Sequence, residues 1–230
     1  MLYESCTYRD DCDSCGWALW QMTETEDQLR TLCPPDCPPC TFTHTVRRQE
    51  YYAVRALLAS MLGGDKVIAY HSSGRPYLTD HSYHISISHT HGFCALAWHA
   101  TQPVGIDIEQ IADRVARVAH RFVNIAEQAQ VEALFPHDIV SGQLLLWSAK
   151  EAAYKCIDRQ GVDFLHDIVV DLSRPHTSQP GTVATQGTCT VDCRVSSAEG
   201  DDAFVPHPMH YRFYPTFVCV IVGDFNHLPI

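Results

Sequence analysis

A short apolar segment that carries two carboxylates places the strongest constraint on what this chain can fold into. Residues 104–109 read Val-Gly-Ile-Asp-Ile-Glu, and Pro103 precedes them. Side chains two residues apart leave the same face of a β-strand, so an extended segment here presents Asp107 and Glu109 side by side. One strand therefore offers paired oxygen ligands for a hard cation.

A second charged segment lies further along the chain. Residues 147–155 read Trp-Ser-Ala-Lys-Glu-Ala-Ala-Tyr-Lys. Glu151 and Lys155 are spaced so that a carboxylate and an ammonium group share one face of a helix, with Lys150 beside them. Magnesium takes carboxylate and phosphate oxygens, and lysines hold phosphates as point charges. The strand and the helix together predict a divalent-metal site for a phosphorylated substrate.

Each segment also has an ordinary structural interpretation. The two strand carboxylates could be solvent-facing residues of an edge strand. Glu151 and Lys155 could form a surface ion pair worth about 0.3–0.5 kcal/mol. Ser148 and Glu151 also have the spacing of a capping box, although the apolar residues before them indicate that the helix has already begun. The joint occurrence of the segments favours a functional site.

Two further motifs precede these segments in the chain. Gly74-Arg75-Pro76 comes first, and residues 84–90 read His-Ile-Ser-Ile-Ser-His-Thr. The four ordered motifs resemble those of the 4′-phosphopantetheinyl transferase superfamily. Ile85 stands where that family often shows asparagine, so we expect a lost local hydrogen bond there. The length of 230 residues resembles the larger single-chain type that activates siderophore and peptide synthetases, the surfactin-synthetase-activating or enterobactin type.

The resemblance implies an α+β fold. In the larger type the chain is a pseudodimer of two similar α+β halves, each a small antiparallel sheet packed with helices, and the active site lies between the halves. We expect residues 1–100 to form the half that contacts the nucleotide of coenzyme A. Residues 103–230 would form the half that carries the metal ligands and the catalytic helix.

The resemblance also implies an activity. Enzymes of the holo-[acyl-carrier-protein] synthase type move the 4′-phosphopantetheine group of coenzyme A to a serine of an apo acyl or peptidyl carrier protein and release 3′,5′-ADP. Mg²⁺, or Mn²⁺, would be bound by Asp107, Glu109 and Glu151. Glu151 would take the proton from the serine hydroxyl, directly or through a metal-bound water, and Lys155 would stabilise charge on the phosphates. Glu151 and Lys155 are thus the expected catalytic residues.

Further residues are implied as contacts of coenzyme A. Their positions in the matching motifs assign Arg75, Ser88 and His89 to the nucleotide end and the lysines to the phosphates, and Arg47 or Arg48 is a weaker candidate for the nucleotide end. The expected set is Arg47, Arg48, Arg75, Ser88, His89, Lys150 and Lys155.

Composition restricts the partners and the surroundings of the chain. The net charge of −11 argues against nucleic acid as the main partner. The N-terminus lacks a basic start followed by an apolar run, and no stretch of about 18 apolar residues would span a membrane. The eleven cysteines are odd in number and mostly scattered, which favours reduced thiols. We expect a cytoplasmic protein without a membrane partner, and the resemblance implies a monomer.

The cysteine-rich start departs from the family pattern. Cys12-x₂-Cys15 and Cys37-x₂-Cys40, with Cys33 close by, have the two-knuckle spacing of a structural zinc site. The same cysteines could be free thiols in loops. A zinc-stabilised interaction module is therefore one alternative function, and a coenzyme A-binding or carrier-binding protein without turnover is another. A decayed enzyme would usually have lost one of the catalytic carboxylates or lysines.

Periodicity predicts the secondary structure. Helices are predicted at 46–62, 112–122, 126–135 and 141–159, and a short helix with an acidic first turn begins near 23–27. Strands are predicted at 16–22, twice within 83–98, and at 163–172, 181–196 and 211–222. The prolines of residues 33–40 predict a loop. On the predicted helix 112–122, Arg114, Arg117 and Arg121 would form a basic stripe for an acidic carrier.

Overall fold

The computed structural model describes residues 1–9, 14–157, 159–172, 186–196 and 202–225. The chain divides into two compact units. The first comprises Met1–Pro103 together with Phe225, and the second comprises Val104–Asp224. Each unit packs helices against an antiparallel sheet, so the predicted α+β class is confirmed. The pseudodimer arrangement stays a prediction.

The first unit is built on a four-stranded antiparallel sheet of order β1-β2-β6-β5, with a small separate hairpin β3-β4. Its elements are β1 Leu2–Arg9, β2 Ser14–Gln21, α1 Glu26–Leu32, α2 Thr45–Leu62, β3 Ile68–Tyr70, β4 Pro76–Leu78, β5 His84–Thr90 and β6 Phe93–His99. Thr25 caps α1 reciprocally with Gln28, as the acidic first turn predicted. Helix α2 ends at Gly63, whose φ of 97° favours glycine.

Most elements of the first unit were predicted, but the short hairpin strands β3 and β4 were missed, and so was β1. Its residues are exposed or half-buried throughout, so the strand lacks the apolar alternation by which strands are recognised. The strand pairs with the buried β2, from Leu2 opposite Trp20 to Arg9 opposite Ser14, with one irregularity near its start. β1 is therefore held in place mainly by backbone hydrogen bonds to β2.

The second unit is a five-stranded antiparallel sheet of order β7-β11-β10-β9-β8. Its elements are β7 Gly105–Gln110, α3 Ile125–Leu134, α4 Ile139–Ile157, β8 Ile168–Asp171, β9 Gln186–Ser196, β10 Asp202–Phe213 and β11 Phe217–Val222. Helix α4 lies on one face of the sheet, where its apolar residues pack against Val218, Val220 and Val222. β7, the predicted metal strand, is the first strand in this order and pairs with β11.

Three predictions for the second unit are wrong in whole or in part. The helix 112–122 is a pair of 3₁₀ turns, Asp113–Arg117 and Ala119–Arg121, separated at Val118, whose φ of −116° is not helical. Only Val115, Ala119 and Phe122 are buried there, which is too narrow an apolar face to hold an α-helix in place. The single strand 211–222 is the end of β10, a turn and β11. Of the strand 163–172, only its end is extended, and residues 181–185 lie outside the described residues.

Candidate functional site

Strand β7 and helix α4 meet at Gly105. A Cβ atom on this residue would lie 1.8 Å from the carbonyl oxygen of Ala152, so any other side chain would displace the helix from the strand. Side chains alternate along a strand, and Asp107 and Glu109 therefore share the face of Gly105 that turns toward α4. The glycine brings both carboxylates next to the helix that carries Glu151.

Lys155 crosses from the helix to the strand. Its Nζ donates hydrogen bonds to the carbonyl oxygen of Ile106 at 2.9 Å and to Oδ1 of Asp107 at 2.8 Å. The side chain of Asp107 is 8% exposed and that of Lys155 is 27% exposed. The ammonium group is therefore anchored at the strand while part of it remains accessible. The sequence predicted that Lys155 and Asp107 belong to one site, and in the structure they form a direct ion pair.

Glu151 lies half-buried on α4 within the electrostatic reach of both strand carboxylates. Burial raises the pKa of Glu151, and the negative charges of Asp107 and Glu109 raise it further, while the Lys155 ammonium acts in the opposite direction. Like charges disfavour ionisation in this way only when they are close. The structure thus places Glu151 in electrostatic contact with both strand carboxylates and with Lys155.

Glu109 has a cationic partner that sequence reasoning did not assign to it. The guanidinium group of Arg114 donates to Oε1 of Glu109, and the arginine side chain is 62% exposed. Arg114 was singled out only as a member of a basic stripe. The pair joins the end of β7 to the 3₁₀ turn that follows it, and the sequence spacing alone gave no signal of this contact.

The donor chemistry of this site suits a hard divalent cation. Glu151 is repelled by two strand carboxylates, and the repulsion that raises its pKa is what a bound cation would offset. In the described part of the chain, no three side chains of His, Cys, Asp or Glu stand close enough together to hold a metal ion as they are. The ammonium of Lys155 and the guanidinium of Arg114 instead neutralise the strand carboxylates.

Lys150 departs from its expected role as a phosphate clamp. Its side chain is fully buried, and its Nζ donates to the carbonyl oxygens of Phe122 at 2.6 Å and Phe164 at 2.8 Å. It also pairs with the fully buried Glu127 at 2.8 Å. Each of the three N–H donors of the ammonium group points to a protein oxygen, so the geometry supports a structural role. The buried neighbours Leu146 and Ala153, at helical spacing, were the available signal.

The zinc interpretation is wrong for the cysteines that the structure describes. Cys15 lies in the middle of the first sheet, opposite Tyr8 on one side and His99 on the other, and is 1% exposed. Cys37 and Cys40 lie on the loop after α1. The described residues contain no cluster of metal ligands, and Cys12 lies outside them. The loop cysteines are free thiols.

In the first unit, two of the expected coenzyme A contacts come together. The guanidinium group of Arg47 hydrogen-bonds to Nε2 of His89, and both contact Glu50, at 3.0 Å from Arg47 and 3.2 Å from His89. Ser88 is the preceding residue of β5 and is buried. Arg48, by contrast, donates to Glu26 at 2.8 Å, which ties α2 to α1.

Arg75 lies toward the opposite end of β5. Burial lowers the pKa of His84, at the start of this strand, and the charge of Arg75 lowers it further. His84 and His89 are five residues apart on the strand, about 16 Å at a rise of about 3.3 Å per residue. The expected contacts therefore form two basic groups, one at each end of β5, rather than one cluster.

Comparison with known proteins agrees with the motifs. Residues 103–202 match the family described as the 4′-phosphopantetheinyl transferase superfamily. The chain is similar to the 4′-phosphopantetheinyl transferase gsp of Aneurinibacillus migulanus, with 33% identity over 88 residues, which is 37% of this chain and 35% of that relative. The chain thus spans about a third of the length of the curated relative it matches.

The matched region contains the whole strand-and-helix site. The second unit is an α+β domain in which strand β7 and helix α4 bring carboxylates beside a lysine. The match of residues 103–202 to the 4′-phosphopantetheinyl transferase superfamily confirms the recognition of that superfamily from the motifs. None of the helices in the described residues is both long and apolar enough to span a membrane.

Proposed function

We propose that this chain transfers the 4′-phosphopantetheine group of coenzyme A to a serine of an apo acyl or peptidyl carrier protein and releases 3′,5′-ADP in a magnesium-dependent reaction. The observation that carries the proposal is the junction of Lys155, Asp107 and Glu151 within the region that matches the superfamily. The name of the relative supports the same group transfer. We place the enzyme in the cytoplasm, as a monomer.

Glu151 is the proposed general base. A carboxylate at its ordinary pKa is a weak base at neutral pH, and the pKa of Glu151 is raised by burial and by neighbouring carboxylates. The raised pKa brings the proton affinity of the carboxylate closer to what the serine hydroxyl requires during attack. The serine oxygen then forms a bond to the β-phosphorus, and the bond from that phosphorus to the 3′,5′-ADP oxygen breaks.

Lys155 is the proposed phosphate ligand of the second unit. Its ammonium group is held at the strand by Ile106 and Asp107 but remains partly exposed. A pre-positioned cation stabilises the negative charge that shifts to the leaving phosphate oxygen, and it needs little rearrangement to do so. Lys150 has no part in this step.

Asp107, Glu109 and Glu151 are the proposed residues for Mg²⁺ or Mn²⁺. The cation would neutralise the pyrophosphate of coenzyme A and orient it for in-line displacement. For these residues to bind it, Glu109 must exchange the Arg114 guanidinium for the metal, because that pair occupies its carboxylate. The metal therefore competes with the Arg114 guanidinium for the Glu109 carboxylate.

The basic residues of the first unit are the proposed contacts of the nucleotide. Arg47 and His89 form one group, with Ser88 beside them, and Arg75 forms the other. The 3′-phosphate is a dianion that two converging donors would hold well. Arg48 is the weaker candidate, because its guanidinium is engaged with Glu26.

The function is tested by incubating the protein with coenzyme A, Mg²⁺ and a panel of apo carrier proteins, and by measuring the intact mass of each carrier. Addition of one phosphopantetheine to a serine, with release of 3′,5′-ADP, is the expected result. Binding of coenzyme A or of a carrier without any mass increase across the panel would instead indicate a binding protein without turnover. The carrier that reacts fastest identifies the pathway served.

A further inference from the structure

Helix α2 buries an arginine that lacks a carboxylate partner. Arg55 is 6% exposed, and its Nη1 donates to the carbonyl oxygen of Tyr51 at 3.1 Å. Among the residues that the structure describes, no carboxylate lies within ion-pair distance of its guanidinium group, and Nε and Nη2 have no hydrogen-bond acceptor. A buried charge is costly unless it is paired. The protein therefore keeps an uncompensated positive charge inside the first unit, where an anion would pair with it.

Tyr51 fixes the orientation of this guanidinium group. The two residues are four apart on α2, so they share a face of the helix, and the guanidinium carbon lies 3.4 Å from the centre of the Tyr51 ring. The Tyr51 hydroxyl donates to the carbonyl oxygen of Pro38 at 2.9 Å, which ties the ring to the loop after α1. Because the ring covers one face of the guanidinium group, a ligand reaches this group in its plane, along the edge formed by Nε and Nη2.

Arg55 borders a small cavity beside the loop that joins α1 to α2. The cavity has a volume of about 50 Å³, which is the space of a few water molecules. Part of its wall is apolar and comes from the loop and from the segment after α2. These apolar residues are Pro34, Pro38, Val67 and Ile68. A ligand of this size has only a few non-hydrogen atoms, and it meets both a cation and apolar side chains.

The charges of the cavity wall favour a ligand with a single negative charge. Lys66 is a second cation of the wall, but its Nζ is already paired with Asp80 at 2.7 Å and lies 3.7 Å from Asp65. Asp36 and Asp65 add negative charge to the same wall. These carboxylates would repel a dianion such as hydrogen phosphate, whereas a monoanion matches the one positive charge of Arg55.

We propose that this cavity is a binding site for a small free monocarboxylate of the size of acetate. The carboxylate accepts two parallel hydrogen bonds from Nε and Nη2 of Arg55, a geometry that the planar guanidinium fork favours. The alkyl group of the ligand contacts the apolar wall, and the bound ligand joins α2 to the loop after α1. The site belongs to the first unit and uses none of the residues proposed for the transfer reaction.

Cys37 offers a direct test, because it lines the same cavity. Iodoacetate and iodoacetamide both alkylate a cysteine thiolate with release of iodide, and only iodoacetate carries a carboxylate that Arg55 can bind. The ratio of the two rates at one cysteine cancels the reactivity of its thiol. Cys40 lies on the same loop but outside the cavity wall, so its ratio is the internal reference.

The folded protein is alkylated for a limited time, and the remaining thiols are capped with N-ethylmaleimide after unfolding. Trypsin releases Cys33, Cys37 and Cys40 in one peptide of residues 31–47, and fragmentation of this peptide measures alkylation at each cysteine separately. The ratio of the iodoacetate rate to the iodoacetamide rate should be about tenfold higher at Cys37 than at Cys40, because a charge-assisted pair holds iodoacetate beside the thiol.

Two further measurements on the wild-type protein define the ligand. Acetate should slow the reaction of iodoacetate with Cys37 and leave its reaction with Cys40 unchanged. Phosphate at the same ionic strength should leave both rates unchanged. After unfolding in urea, the two cysteines should give the same ratio.

Variants assign the effect to Arg55. Arg55→Met should abolish the difference between the two cysteines, and Arg55→Lys should retain only part of it, because it keeps the charge without the fork. Arg9→Met is the matched control at an exposed arginine of the same unit and should behave as the wild type. Circular dichroism checks that each variant is folded.

Equal ratios at Cys37 and Cys40 in the folded wild-type protein, or a reaction of iodoacetate with Cys37 that acetate does not slow, would overturn the proposal. Protection by phosphate as strong as that by acetate would overturn the assignment to a monocarboxylate. A folded Arg55→Met protein with the wild-type difference would remove Arg55 from the site. The wild-type measurements decide the proposal even when the variants of Arg55 fail to fold.

Discussion

The Nζ atom of Lys155 lies 2.8 Å from Oδ1 of Asp107, so the helix motif and the strand motif of this chain meet in one charged contact. Gly105 makes the contact possible, because the backbone of β7 approaches α4 at Ala152 more closely than any other residue would allow. The two motifs are far apart in sequence, and their juxtaposition is a property of the fold. The chemistry proposed for the second unit depends on it.

Replacing Glu151 by glutamine should separate turnover from binding. The amide cannot accept the serine proton, and it removes one carboxylate from the cluster, so we expect the turnover number to fall by about 10²–10⁴. The affinity for coenzyme A should change much less, because the proposed nucleotide contacts lie in the first unit. Steady-state kinetics with a reactive carrier and calorimetry with coenzyme A measure the two quantities.

The same substitution at the exposed Glu132 of α3 is the matched control and should leave both quantities unchanged. Arg75→Ala should show the opposite pattern, with weaker coenzyme A binding. Near-normal turnover of the Glu151→Gln protein would remove Glu151 from the role of base.

Replacing Lys150 by methionine should destabilise the second unit. The substitution leaves the fully buried Glu127 carboxylate without its cation, which costs about 3–5 kcal/mol in comparable proteins. The double change of Lys150→Met with Glu127→Gln should recover part of this loss, because no buried charge remains. Urea unfolding measures both effects, and Lys66→Met is the control.

Lys66 pairs with Asp80 in a more exposed setting, so its loss should cost about 1 kcal/mol or less. Equal destabilisation by the two methionine substitutions would show that the buried Lys150–Glu127 pair stabilises the fold no more than the Lys66–Asp80 pair does. A direct phosphate role for Lys150 would be indicated if its removal left stability intact and raised the KM for coenzyme A.

His210 should make stability depend on pH. Burial lowers its pKa from 6.5 to about 4 in the folded chain, and the nearby Asp224 only partly opposes this. Between these values the unfolded chain binds a proton and the folded chain does not, so the stability from this residue is present above about pH 6.5 and is lost toward pH 4. The slope contributed is about 1.4 kcal/mol per pH unit.

Urea unfolding at several pH values tests this, with His210→Leu compared against His120→Leu at an exposed position. The first variant should have a shallower dependence on pH in that window, and the second should follow the wild type. Identical slopes for all three proteins would show that His210 titrates in the folded state as it does in the unfolded chain.

Carrier docking should depend on exposed arginines of the 3₁₀ turns. The chain has a net charge of −11, so an acidic carrier needs a local basic surface. Arg117→Glu with Arg121→Glu should raise the carrier KM and flatten its dependence on salt, while the affinity for coenzyme A stays unchanged. Arg114 is left intact in this test because it contacts Glu109.

The control reverses two exposed arginines of the first unit, Arg9 and Arg30, so that the change in net charge is the same. Kinetics at low ionic strength reveal steering most clearly. If both double variants gave the wild-type carrier KM, docking would rest on apolar contacts, and the arginines would be an ordinary solvated surface.

Sequence patterns predicted the elements of the site well. The alternation of isoleucine with carboxylates in residues 105–110 and the long apolar period of α4 are strong signals of a strand and a helix. The pairing of Glu109 with Arg114 was not predicted, since it depends on the turn that follows β7. Lys150 was misassigned because a motif gives spacing, whereas the burial of a lysine depends on what packs around the helix.

The 3₁₀ turns show a second limit of sequence reasoning. The arginines of residues 114–121 recur at a spacing that fits both an α-helix and a 3₁₀-helix, and side chains three apart eclipse in the latter. Arg114 and Arg117 therefore still share a side of the chain, although the predicted helix is absent. The backbone conformation of the 3₁₀ turns is set by the burial of Val115 and Ala119. The charge pattern does not predict that burial.

The proposed binding of the divalent cation by Asp107, Glu109 and Glu151 is central to the transfer reaction. Its most direct test is titration of the protein with Mn²⁺ and coenzyme A, followed by electron paramagnetic resonance of free Mn²⁺ and by the mass of the carrier product. Wild-type protein should bind Mn²⁺ and lose transfer in EDTA, and Asp107→Asn should lose both Mn²⁺ binding and transfer. Transfer that persists in EDTA, or Mn²⁺ binding unchanged in Asp107→Asn, would contradict the claim.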